Sequence, residues 1–169
     1  MKLLLCHSLV RSQLFSAFII DVYMLHAFTR LKDILSTIPA KLAAITDAEA
    51  SVKITSIKWS KKEIMGHLID SASNNHQRFV RLQIENNVKL PKYRQNEWVA
   101  VQHWQQKDWK DILALWQLFN EHIAFIFEHA DETTLNHIVT LGETNFTLQF
   151  IIDDYIDHLE HHLKQVFEE

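Results

Sequence analysis

His158, His161 and His162 stand together in the segment His158-Leu-Glu-His161-His162 near the C-terminus. Histidine is the commonest metal ligand and the usual acid–base group near neutral pH. On a helix, residues four apart lie on one face, one above the other. With the apolar stripe centred on Leu148, Leu159 and Val166, His158 falls about 80° and His162 about 40° to the same side, while His161 faces outward. An i, i+4 imidazole pair has the spacing to hold one metal ion, but two ligands alone make a weak site. His67 is the natural third ligand. It lies about 60° from the centre of its own helical stripe, at a buried edge and beside Gly66. Three neutral imidazoles from two helices would leave a coordination position open for water or substrate, as in a catalytic rather than a structural site. Zinc, nickel or another divalent ion would suit such ligands. The competing assignment is three core-edge histidines bonded to backbone or water. Spacing alone does not place His67 beside the other two.

The elements that must position these residues are helices. Ser60-Lys-Lys-Glu63 forms a capping box, so a helix is expected from about 60 to 86, with the stripe Ile64, Leu68, Ser71 or Ala72, Asn75, Phe79 and Leu82. A second long helix is expected over 109–130, capped by Asp108, with the stripe Ile112, Leu115, Trp116, Phe119, Ile123 and Ile126. The last, capped by Asn145 or Thr147, runs to the C-terminus through Leu148, Ile152, Tyr155, Leu159, His162 and Val166. Residues 29–49 carry a helical pattern that Pro39 should kink or restart. Residues 50–58 read as a connection, 87–106 as a mixed stretch with a short helix around Glu97–Trp104, and 131–146 as a loop. Four amphipathic helices that bury one face each predict an all-α four-helix bundle. The connection over 87–106 is long for an up-down bundle, so it leaves room for a crossover between parallel neighbours.

Composition sets limits on function. Lys plus Arg is 17 and Asp plus Glu is 21, a formal net charge of −4, which suits no general nucleic-acid binder. The single cysteine, Cys6, permits no internal disulfide and no cysteine-based zinc site. Two glycines, Gly66 and Gly142, cannot build a dinucleotide fingerprint, a P-loop or a nucleophile elbow. Glu-x-x-His and His-Glu-x-x-His motifs are absent. Asp153, Asp154 and Asp157 spread round the helical wheel and read as a solvated face or partners of the imidazoles. Arg78 and Arg81 near Asn74 and Asn75 would either line a polar pocket or form helix-surface charge. The five tryptophans, 59, 98, 104, 109 and 116, read as packing anchors. In residues 1–28, Arg11, Ser12, Gln13 and Asp21 interrupt the apolar runs, so no stretch approaches the ~20 apolar residues of a membrane span. That segment is expected to be a peripheral helical extension or the product of a misplaced start, ahead of a bundle over 29–169, in a cytoplasmic chain with no membrane partner.

The stretch Lys58-Trp-Ser-Lys-Lys-Glu-Ile-Met-Gly-His67-Leu-Ile-Asp70 resembles the W-S-x-x-E-x-x-x-H-L-x-D signature of the DinB/YfiT-like family. The segment Asp154-Tyr-Ile-Asp-His158-Leu-Glu-His-His162-Leu-Lys-Gln165 is similar to that family's closing H-x-x-x-H helix. The resemblance covers roughly residues 30–167 and leaves 1–28 outside. It implies a four-helix bundle with an up-down-down-up path and a divalent metal held by His67, His158 and His162. It also implies thiol-dependent S-transfer, with thiols such as bacillithiol or mycothiol, or metal-dependent hydrolysis of a small-molecule substrate. Asp70 would be an acceptor that orients an imidazole, or a plain surface carboxylate. No residue stands out as a dedicated general base. The alternative is a non-catalytic metal- or ligand-binding bundle. In either case a homodimer is the expected assembly.

Overall fold

The computed structural model describes residues 26–168, so residues 1–25 of the extension expected over 1–28 lie outside them, and 26–28 belong to the first helix described. The first bundle helix, α1, covers residues 26–43 and includes Ala27, which is buried. It runs through Pro39 without a break, although proline denies the Leu35 carbonyl its helical partner. Ile34, Ile38 and Leu42 keep one face against the core on both sides of the proline. The helix then stops short of the expected 49. Thr46 opens a capping box with Glu49 for the one-turn helix α2, Asp47–Ala50.

The next helix, α3, spans Lys61–Ile84 and starts from the expected Ser60/Glu63 box. Every residue of its expected stripe is buried. The crossover contains the strand β1 (Val88–Leu90), the helix α4 (Gln95–Val101) and a 3-10 turn at Trp104–Gln106. The following helix, α5, covers Trp109–Glu128. Asp108 precedes it without a side-chain cap; Asp47 Oδ1 instead accepts the Trp109 N–H at 2.8 Å and also binds Lys62 Nζ at 2.7 Å. One carboxylate thus ties together the starts of α3 and α5. Leu115 is exposed rather than buried, because the core face of α5 turns toward Trp109, Asn120, Ala124 and Phe127.

The segment expected as a loop over 131–146 is ordered. It holds a 3-10 turn at Glu132–Thr134 and the strands β2 (Ile138–Leu141) and β3 (Thr144–Thr147). They pair antiparallel through Gly142 at φ +66°, and β2 pairs in parallel with β1. The alternating burial of Ile138, Val139, Thr140 and Leu141 is the period-2 signal that the polar Thr and Asn residues obscured. The last helix, α6, spans Leu148–Glu168, and Thr147 Oγ1 accepts the Phe150 N–H at its start.

Contacts between helix ends give the direction of each helix. Lys61 Nζ donates to the Val166 carbonyl at 2.5 Å, so α3 and α6 run antiparallel. Arg30 bonds Asp157 and Glu160, and Ala44 lines a groove with Val166, so α1 runs parallel to α6. Trp109 Nε1 donates to the Leu42 carbonyl, which sets the start of α5 at the end of α1. The path is the expected up-down-down-up, and the crossover returns the chain so that α3 and α5 are parallel. No described helix is long and apolar enough to cross a membrane.

A buried polar link joins α5 to α6. Tyr155 donates its hydroxyl to Asn120 Oδ1 at 2.5 Å, and Asn120 Nδ2 donates to the Trp116 carbonyl. Tyr155→Phe leaves a buried amide oxygen without its donor, so it should cost about 1–3 kcal/mol of stability in denaturant titrations. An unchanged midpoint would show that the link contributes nothing.

Candidate metal centre

The Ser60 cap fixes where α3 begins and so places His67 two turns inside it, where it is fully buried. His158 and His162 sit one turn apart on α6, half-buried, while His161 is exposed as expected. The antiparallel packing of α3 on α6 brings the three rings together. The His67 centroid lies 5.0 Å from His158 and 4.8 Å from His162, and the latter two lie 4.5 Å apart. One ring nitrogen from each falls within 4.8 Å of the others, and no carboxylate joins the group among the described residues.

His67 Nε2 and His158 Nε2 are 3.0 Å apart. Tetrahedral bonds of about 2.0–2.1 Å would put neighbouring donor atoms roughly 3.3 Å apart, so this pair is already near ligand spacing. Burial, reinforced by the neighbouring imidazoles, lowers His67 to about 3 and His158 to about 4. Burial also lowers His162, against a raising bond from Gln165. All three rings are therefore neutral at ordinary pH, as metal binding requires. The Nδ1 atoms of His67 and His158 are buried without a partner, so nothing on the protein ties up these two rings except each other. The donor set fits a divalent ion.

The surroundings add residues that the sequence reading missed. Gln165, one turn beyond His162, accepts its Nδ1–H at 2.8 Å through Oε1, which leaves the Nε2 lone pair free toward the other rings. The i, i+3 spacing on α6 was a signal for this bond. Trp59, expected as a packing anchor, lies 5.0 Å from the His67 ring, and Tyr93 lies 6.5 Å away on the crossover. Gly66 lets the Trp104 indole lie flat on α3. A Cβ at this position would come within 2.2 Å of Trp104 Cγ.

Asp70 does not orient an imidazole. It is buried and accepts from Gln102 Nε2 at 2.5 Å and Trp104 Nε1 at 3.3 Å, so it anchors the crossover to α3. Burial raises its pKa above the usual carboxylate value, against these two bonds. Arg78 is buried and donates to Asn75 Oδ1, whereas Arg81 is exposed. Asp154 and Asp157 are exposed, and Asp157 pairs with Arg30, so the aspartate group is a solvated face.

In the unfolded chain these imidazoles titrate near 6.5. As pH falls below that value the unfolded state takes up protons that the native rings refuse. Stability is therefore fully present above about 6.5 and is lost progressively as pH falls toward the native values of about 3 and 4. The melting temperature of metal-free protein should fall between about pH 7 and pH 5, where carboxylates stay largely ionised, and His67→Leu should flatten that fall. Identical slopes in the two proteins would contradict the neutral buried trio.

A model of the DinB superfamily matches residues 30–166. Among solved structures, the chain is similar to YfiT from Bacillus subtilis, a probable metal-dependent hydrolase with an unusual four-helix bundle topology. The TM-score is 0.73 at 20% identity, over 83% of this chain and 84% of that one. It is also similar to the mycothiol-dependent maleylpyruvate isomerase, with a TM-score of 0.70 at 11% identity, over 85% of this chain and 60% of the other. These identities show a shared fold. No curated protein sequence matches. The match to residues 30–166, which contain all three clustered histidines, establishes that the chain belongs to the DinB superfamily.

Proposed function

We propose that this chain is a metal-dependent enzyme that acts on a small molecule, by hydrolysis or by transfer of a thiol, with a divalent ion held by His67, His158 and His162. The observation that carries the proposal is the convergence of three neutral imidazoles, one buried and two half-buried, with their nitrogens within 4.8 Å. The similar folds include a probable metal-dependent hydrolase and a mycothiol-dependent isomerase, which supports metal-dependent hydrolysis on the one hand and the use of a thiol on the other. Zinc and nickel are the expected metals, since a donor set of three imidazoles suits both. Bound there, a divalent ion supplies Lewis acidity and lowers the pKa of a water or thiol beside it.

The chain's own residues prepare the site. Three neutral ligands with no carboxylate would leave the ion's double charge undiminished. Gln165 holds the His162 tautomer through Nδ1–H, and such partners of ligating histidines typically tune affinity 10–100-fold. Trp59 covers one side of His67 and limits water there. Gly66 and Trp104 pack below it and fix the helix that carries it.

The test uses tag-free protein loaded with zinc or nickel. It is assayed with a generic electrophile plus a small thiol, and separately with an activated ester. One of the two reactions should accelerate in a metal-dependent way, and His162→Ala should abolish the acceleration. Gln165→Leu should weaken metal binding roughly 10–100-fold and recover activity at saturating metal. Rates indifferent to chelation and to His162→Ala would sink the proposal. Stoichiometric metal without acceleration would favour the non-catalytic bundle.

A further inference from the structure

Away from the trio, a second pair of imidazoles stands between α3 and α5. His76 follows His67 on α3 by two and a half turns, so it lies about 14 Å further along and on the opposite face of the helix. Its ring is 5.3 Å from that of His122 on α5 and 5.7 Å from that of Phe119. His76 is half-buried and His122 is exposed. No ring nitrogen of either makes a hydrogen bond among the described residues. Burial, and then the neighbouring His122, lower the pKa of His76, which suits a neutral ligand. A metal at about 2.0–2.1 Å from two nitrogens, at a tetrahedral angle, sets the ring centres roughly 5.2 Å apart, so this pair already has ligand spacing.

Two imidazoles fill half of a closed tetrahedral site. The surface around them shows where the other half comes from. Leu115, Leu118, His122, Phe125 and His129 recur along α5 at spacings of three and four, the seam of a helix that packs on another helix. Leu118 and Phe125 are 66% and 58% exposed, so nothing among the described residues covers this seam. On α3, Val80 and Ile84 follow His76 at one and two turns, and Ile84 is exposed. The face from Leu115 to His129 is about 21 Å long and, with α3 beside it, about 20 Å wide. That is about 400 Å² per copy, half of the ~800 Å² of a standard interface. Apolar contact alone is thus too small to hold a stable dimer, and a shared metal supplies what is missing. A two-fold axis beside His122, in the middle of the seam, duplicates the ligand pair and the apolar seam in one step.

We propose that His76 and His122 from two copies close one zinc site on a two-fold axis, so that the chain forms a zinc-bridged homodimer through α3 and α5. The seams run antiparallel, with Leu115 and Leu118 against the partner's Phe125. The site is structural, because four imidazoles leave no coordination position open for chemistry. It lies on the face of α3 that points away from the trio and does not depend on what the trio does.

The test is sedimentation velocity of tag-free, full-length protein, first with chelator and then with rising zinc. His158→Ala is run alongside to take the trio out of the zinc count. Both proteins should be monomers in chelator and dimers with zinc, and the His158→Ala chain should saturate at one zinc per pair of chains. His122→Ala should stay monomeric at every zinc level. Leu118→Ser should raise the zinc concentration needed for dimerisation about tenfold or more, since each copy loses a buried leucine from the seam. Far-UV circular dichroism that matches the wild type will show that the variants are folded. Zinc-dependent dimers that survive His122→Ala, a dimer indifferent to zinc, or an unshifted Leu118→Ser would each overturn the assignment. A monomer at all zinc levels would do the same and leave the face to another protein or another segment of this chain. Because the dimer is also read in His158→Ala, its failure leaves the metal centre untouched, and an inactive trio leaves the dimer intact.

Discussion

Burial of His67 between α3 and α6, against His158 and His162, is the constraint that organises this end of the bundle. A buried imidazole costs free energy unless its nitrogens are satisfied, and an unsatisfied buried polar atom costs about 1–3 kcal/mol. Here the Nδ1 atoms of His67 and His158 both lack partners. Leucine at either position would remove that cost, so the trio is not explained by stability. An ion that takes one lone pair from each ring, at the nitrogens that His67 and His158 turn toward each other, explains why imidazoles stand here.

The rest of the fold can be traced from that contact. Capping at Ser60 and Thr147 sets the phases of α3 and α6, and Lys61 against the Val166 carbonyl sets their register. Up-down-down-up topology follows because the crossover brings α5 back parallel to α3. In doing so it lays Trp104 on Gly66 and leads Tyr93 past His67. Asp70 holds that crossover from below through Gln102 and Trp104. The small sheet is a by-product of the same path, since β1 from the crossover and β2 from the α5–α6 connection meet at one end in parallel.

Much of this was legible in the sequence, for physical reasons that differ by element. The boundaries of α3 and α6 were readable because their caps are local, and the apolar stripe of α3 was readable because its whole face is buried. The pairing of His158 with His162 follows from helical periodicity. The place of His67 beside them does not, because it depends on which helices pack together, and only the family resemblance supplied that. Asp108 looked like a cap because sequence shows the residue next door and not Asp47, which lies 61 residues away and performs that role. Strands β2 and β3 were missed because four residues of alternation are too few to outweigh Thr, Asn and Gly. Asp70 read either as an acceptor for an imidazole or as a surface carboxylate, and it is neither, because the crossover buries it and supplies its donors Gln102 and Trp104.

The most direct measurement is anomalous diffraction at the zinc and nickel edges from crystals of tag-free protein soaked in each metal. The account predicts one peak per chain within about 2.0–2.1 Å of nitrogens from His67, His158 and His162, and no such peak in His158→Ala crystals. Rings that stay in place with no ion between them in either metal would contradict it.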